Sequence, residues 1–161
     1  MRTAFRSALG ALCAVATLAT AGAAEAQLMD KKALTLAEAR KAMQAATAEA
    51  KSNGWNVVIV VVDDAGYPLT LDRLDNTQRP SVDIAVGKAR TAALFRRPSA
   101  ALEDTINKGR NAFLSVDGYV FLQGGIPIVV GGDVIGAVGV SGVKSEQDEQ
   151  VAKAGAAAVG R

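Results

Sequence analysis

Histidine is missing from all 161 residues, and cysteine occurs once, at Cys13. Without histidine the chain lacks the commonest general base and the commonest transition-metal ligand, and no Ser-His or Cys-His catalytic pair can form. Aromatic residues are only 4% of the chain, with a single tryptophan, Trp55. The 18 basic and 16 acidic residues nearly cancel. That balance gives no electrostatic reason to bind nucleic acid or an anionic membrane.

The N-terminal stretch reads as a targeting segment. Arg2 and Arg6 make a basic start, Ala8 to Ala21 is a short apolar run, and Ala24-Glu25-Ala26 has the pattern of a cleavage site before Gln27. Residues 1–26 are therefore expected to be a signal peptide and 27–161 the mature domain, periplasmic or secreted. Arg2, Arg6 and Glu25 would leave with the leader, so the 18 basic and 16 acidic residues become 16 and 15. Cys13 would leave too, and with it any disulfide, thiolate ligand or cysteine nucleophile. The remainder suits one domain with one core.

Thr35-Leu36-Ala37-Glu38 has capping-box spacing, and Leu36, Ala39, Met43, Ala46 and Ala50 then recur at helical spacing until Ser52-Asn53-Gly54. Trp55 to Val62 is almost wholly apolar and β-branched, as a strand covered on both faces would be. Asp63 to Gly66 is a turn into a second strand, Tyr67 to Leu74. Ser81 is expected to cap a second helix that buries Ile84, Ala85, Ala89, Ala92 and Phe95 and stops at Pro98. A short third helix runs from Ser99 to Lys108.

Arg110 to Gly118 has no regular period yet carries Phe113, Leu114 and Val116, which predicts a loop folded over something. Three strands should follow: Tyr119 to Leu122, then two from the glycine-rich run Gly124 to Gly142, joined at Gly131-Gly132-Asp133. Ser145 is expected to cap a last helix with acids in its first turn. This order predicts an α+β fold, with a single five-stranded antiparallel sheet packed by about four helices in a sandwich of the profilin or PAS kind.

Several chemical motifs fail. Gly139-Val140-Ser141-Gly142-Val143 lacks the last glycine of a nucleophile elbow, and Gly142-Val143-Lys144-Ser145 lacks the glycine that precedes a P-loop lysine. Gly136 and Gly139 are three apart and face opposite sides of a strand, so they cannot line one pocket. Asp63 with Asp64, or Asp72 with Asp75, could serve a hard cation but match no known loop spacing and are explained as turn carboxylates. Asp148 is read first as a helix-start residue. Lys88 and Arg90 lie about 200° apart on a helical wheel, so at most one faces a given cleft. Lys88 follows Ile84 by one turn and could reach from the apolar face towards a ligand.

Gly124-Gly125-Ile126-Pro127-Ile128, Gly131 and Gly136-Ala137-Val138-Gly139-Val140-Ser141-Gly142, followed by Asp148 and Ala152 to Gly155, resemble the C-terminal signature of the GlcG/HbpS-like haem-binding protein family. Lys88 to Ala92 and Val61 to Gly66 extend the resemblance over the mature chain. It implies a compact sheet-and-helix fold, homo-oligomers, a small-molecule ligand such as haem or another tetrapyrrole, and in some members a sensor-kinase or membrane-protein partner. No nucleic acid is implied. Without histidine, the side chains left for iron are Met29, Met43, Tyr67, Tyr119 and lysines. The resemblance thus implies a cofactor site with Lys88 or Arg90 near a propionate, Tyr119 as a ligand, Phe113 in the apolar loop, and Gly124 and Gly125 where the motif opens. Two other readings stay open: an enzyme or accessory subunit for small hydroxy or keto acids using Lys88, Asp63 or a metal, and an oligomeric interaction module without a ligand.

Overall fold

The computed structural model describes residues 29–160, and the signal peptide expected at 1–26 lies outside them. The chain divides into two units, Met1–Asp30 and Lys31–Arg161. All the elements below belong to the second.

Helix α1 (Leu36–Ser52) starts at Thr35, whose hydroxyl accepts the Glu38 N–H at 3.2 Å. The expected box is only half made, because the Glu38 carboxylate pairs with Lys41 instead of returning to the cap. Ala39, Ala42, Met43, Ala46 and Ala50 form its buried face, while Leu36, expected inside, is exposed. Strand β1 (Val58–Asp63) is buried on both faces, and β2 (Pro68–Arg73) is an exposed edge strand. Helices α2 (Ser81–Leu94) and α3 (Ser99–Asn107) meet at Pro98, as expected. A 3₁₀ turn (Asn111–Ser115) precedes β3 (Gly125–Val130), β4 (Asp133–Ser141) and α4 (Ser145–Ala156).

The sheet has four strands in the order β2-β1-β4-β3, all antiparallel. Gly131 and Gly132, with φ of 62° and 87°, form the two-residue link between β3 and β4. Both angles lie where glycine is tolerated and other residues are strained, as a tight hairpin of this hand requires.

The α+β class and antiparallel pairing are as expected, but the fifth strand is not there. Tyr119 to Leu122 has no regular secondary structure, bends at Leu122 and does not join the sheet. Helix side chains take the place of a strand partner. Thr91 Oγ1 accepts the Val120 N–H at 3.1 Å and lies 2.9 Å from both Val120 O and Gly87 O. Ser99 Oγ donates to Leu122 O at 2.7 Å and accepts the Gly125 N–H at 2.9 Å. Glu103 Oε2 accepts the Gln123 N–H at 2.6 Å. With its polar groups met in this way, the segment needs no sheet.

Alternation along β1 divides the core. Val57, Ile59 and Val61 face α1 and α4, while Val58, Val60 and Val62 face the alanines of α2. Glycines set how closely the helices approach. Gly125 and Gly139 pair across β3 and β4. A Cβ on Gly125 would sit 2.2 Å from Lys88 O, and one on Gly139 would sit 2.2 Å from Ala85 O, so α2 rests directly on the strand backbones. Gly136 faces the other way, where a Cβ would meet Leu34. The two-sided reading of these glycines is thus the observed one. Among the described residues no helix is long and apolar enough to cross a membrane.

Candidate ligand-binding site

Four of the chain's seven aromatic side chains gather where the end of α2 meets the 3₁₀ turn. Phe95 contacts the rings of Tyr119, Phe121 and Phe113 at centroid distances of 5.1, 5.9 and 6.3 Å, and Phe113 meets Phe121 edge-on at 5.7 Å. Offset and edge-on aromatic pairs each add about 0.5–1.5 kcal/mol beyond area burial. Arg110 caps this group, its guanidinium 5.4 Å from the Phe113 centroid. The apolar loop expected at Arg110 to Gly118 therefore does fold over something, and its Phe113 is the anchor.

Beside the aromatic group, between α3 and the segment Tyr119 to Leu122, lies an open cavity of about 360 Å³. Tyr119 and Phe121 form one wall, Ile106 and Asn107 of α3 another, and Leu114 and Val116 the lip. A cavity of this size with mainly apolar walls and a few polar groups suits a small organic ligand. Leu114 is 66% exposed and Leu122 45%, so apolar surface continues outward from the mouth. The wall is held in place by the bonds from Thr91, Ser99 and Glu103 that replaced the expected strand pairing.

The expected site residues do not come together in one place. Tyr119 lines the cavity, and Phe113 lies just behind it, against Phe121. Lys88 lies elsewhere and is 2% exposed. Its ammonium donates to Asp148 Oδ2 at 2.8 Å and to Val140 O at 3.0 Å, bridging α2, β4 and α4. Gly124, at φ 124°, closes over this bridge, since a Cβ there would lie 2.9 Å from Lys88 Nζ. Gly125 is covered by the α2 backbone. Arg90 packs against Gly66 in the β1–β2 turn. The structure thus places Lys88, Arg90, Phe113, Tyr119, Gly124 and Gly125 in separate locations, with Lys88 and Arg90 on different sides of α2, as their spacing on the helix implied.

Asp148 does more than open a helix. Its Oδ1 accepts the Val143 N–H at 3.2 Å and its Oδ2 takes the Lys88 ammonium. Burial pushes this carboxyl above its ordinary range, against the opposing pull of Lys88 and the backbone N–H groups of Val143 and Gly142. The cap of α4 is Lys144 instead of the expected Ser145, with the Gln147 amide oxygen accepting the Lys144 N–H at 3.2 Å. Nor does Ser81 cap α2. Pro80 takes that position, and the buried Ser81 hydroxyl has no partner. Asp63 Oδ1 accepts the N–H groups of Ala65 and Tyr67 at 2.9 and 2.8 Å, as a turn carboxylate does. Among the described residues no group of three or more His, Cys, Asp or Glu is placed to hold a metal.

Comparison with known proteins supplies the deciding observation. The family described as "Haem degrading protein HbpS-like" matches residues 34–157, which span every helix and strand but the ends of the described chain. The chain belongs to this family. Protein GlcG of Escherichia coli K12 is 47% identical over 93 residues, 58% of this chain and 69% of GlcG. The crystal structure of a double mutant of Streptomyces reticuli HbpS superposes with a TM-score of 0.79 at 35% identity, covering 92% of this chain and 99% of that one. The crystal structure of a PduOC:heme complex superposes with a TM-score of 0.73 at 27% identity, covering 80% and 96%. The family resemblance carried by the glycine run is thereby borne out.

Sequence reading missed Phe95 as a site residue, having placed it in the core, and missed Phe121 and Arg110 altogether. A usable signal was present: three of the four phenylalanines and one of the two tyrosines fall between residues 95 and 121.

Proposed function

We propose that this chain is an exported small-molecule-binding protein of haem or iron handling or sensing, with haem or a related tetrapyrrole as ligand at the aromatic cavity. The observation that carries the reading is the apolar cavity walled by Tyr119 and Phe121, on the fold of a haem-degrading family. The PduOC:heme complex supports haem as the ligand class. The residues present fit the group: the rings offer a face for a planar macrocycle, and the Tyr119 phenol is an oxygen donor of a type that ligates haem iron. Haem, when bound, supplies a redox-active iron centre, while the chain's own residues supply the slot and the phenol. Arg110, exposed beside the Phe113 ring, is a cation available to a propionate there, whereas the buried Lys88 is not.

The basic, apolar and small-residue pattern of 1–26 supports a periplasmic or secreted location. Exposed Leu114, Val116 and Leu122 around the cavity mouth support assembly into a homo-oligomer.

Titration of the purified protein with hemin tests the ligand. A saturable Soret shift is expected, weakened several-fold by Leu114→Asp at the exposed lip and altered in band position by Tyr119→Phe. The reading fails if the wild-type protein gives no saturable shift, or if both variants behave as wild type.

A further inference from the structure

A second cavity lies at the opposite edge of the sheet, away from the aromatic group. It is an open groove of about 600 Å³ bounded by the end of α1, the loop at residues 54–56 and the end of β2. An adjoining hollow of about 320 Å³ runs along α1, and Lys51 and Asp72 line both. None of its lining residues belongs to the aromatic cavity.

The groove holds the chain's single tryptophan. Trp55 packs partly against the main core and partly faces the groove, which fixes its ring and leaves part of it accessible. Around it stand Lys51, Asp72, Arg73 and Asp75, two cations and two anions. Among the described residues none of these four is in an ion pair. In the adjoining hollow the buried Thr47 hydroxyl has no hydrogen-bond partner. The four charged side chains at the groove thus keep their hydrogen-bonding capacity for a ligand, while the Thr47 hydroxyl lies behind the wall.

The rim is rigid. Thr77 Oγ1 donates to Leu74 O at 2.7 Å, the Leu74 N–H donates to Val57 O at 3.0 Å, and the Trp55 N–H donates to Ala50 O at 2.9 Å. Asn76 is held between them at φ 63°, a conformation that asparagine tolerates better than most residues. A groove already fixed in shape loses little conformational freedom on binding.

We propose that this groove binds a neutral polyhydroxylated ligand, a mono- or oligosaccharide, with its apolar face on Trp55 and its hydroxyls among Lys51, Asp72, Arg73 and Asp75. Charge decides the class. An anion would meet Asp72 and Asp75, and a cation would meet Lys51 and Arg73. A hydroxyl both donates and accepts, so it can use neighbouring carboxylate and guanidinium groups together. Tryptophan presents a broad, rigid, mostly apolar face with little conformational entropy to lose.

The single tryptophan makes the test direct. Purified protein without hemin is titrated with glucose, N-acetylglucosamine, maltotriose and cellotriose, read by Trp55 fluorescence and by calorimetry. Alanine and glycine betaine serve as zwitterionic comparisons. A saturable response to at least one sugar is expected, weakened about tenfold in Asp72→Ala and in Arg73→Ala, the factor that matches a lost hydrogen bond to a charged group. Both residues are exposed, so the fold should survive, and circular dichroism checks that it does. No response to any sugar by either method overturns the proposal. So does saturation by the zwitterions alone, or sugar binding unchanged in both variants.

Discussion

The Lys88 ammonium and the Asp148 carboxylate lie 2.8 Å apart, each about 3% exposed at the side chain, and join α2 to α4 through the end of β4. Lys88 also donates to Val140 O, and Asp148 also accepts from Val143 N–H, so both charges have further polar partners. This bridge is the interior polar link on which both helical layers meet, and it has consequences for any experiment on the ligand site.

Removing one partner should be costly. Lys88→Met leaves the Asp148 carboxylate buried without its cation, and a loss of about 3–5 kcal/mol is expected. The double variant Lys88→Met with Asp148→Leu should recover much of that loss, because neither charge then remains. Urea unfolding of the wild type and both variants checks this. Equal destabilisation in the single and double variants would show that packing, and not the orphaned charge, dominates. A weaker hemin response in a Lys88 variant would accordingly report on the fold before it reported on a propionate.

Acid titration gives a sign test of the same pair. Burial raises Asp148, so the folded protein takes up this proton at higher pH than the unfolded chain does. The contribution from this group is fully present below the unfolded value, about 3.9, and is lost as pH rises through the higher folded value. The stability of wild type relative to Asp148→Asn should therefore fall as pH rises from about 3.5 through that window. Unfolding midpoints of the two proteins across pH 3.5–7 measure it. An advantage that grows with pH would mean that Lys88 outweighs burial.

The segment Tyr119 to Leu122 predicts an effect of one hydroxyl. Thr91→Val keeps the shape but leaves the Val120 N–H and C=O without their partner, at a cost of about 1–3 kcal/mol. Amide exchange at Val120 and its neighbours should speed up while β1 stays protected. Uniform loss of protection over the whole sheet would contradict this local reading.

Gly139 and Gly125 should tolerate no side chain. An alanine Cβ at either position lies 2.2 Å from a carbonyl oxygen of α2, and backbone cannot step aside as a flexible side chain can. Gly139→Ala is expected to cost at least about 1–3 kcal/mol through overpacking. Thermal unfolding compares it with Ala65→Gly, an exposed change in a turn. Similar melting temperatures would show that α2 is free to shift outward.

Much of the fold was legible because it follows from local chemistry. Thr35, Pro98 and Gly131-Gly132 mark a helix start, a helix break and a hairpin through their own preferences. Tyr119 to Leu122 misled because its apolar pattern is that of a strand, while the absence of a strand depends on Thr91, Ser99 and Glu103, up to 29 residues away. Lys88 misled for a related reason. A lysine one turn from an apolar residue can reach a ligand or a carboxylate, and only the position of Asp148, 60 residues later, decides between them.

By itself, the sequence determined the α+β class, most element boundaries, the family, and the absence of histidine chemistry from the chain, since composition and short-range preference suffice for these. The tertiary structure decided that the sheet has four strands, that Lys88 lies inside, and that aromatic residues scattered from 95 to 121 form one group, of which Tyr119 and Phe121 wall a cavity. Those outcomes depend on which distant groups satisfy a backbone or bury a charge, and residue spacing along a chain does not carry that information.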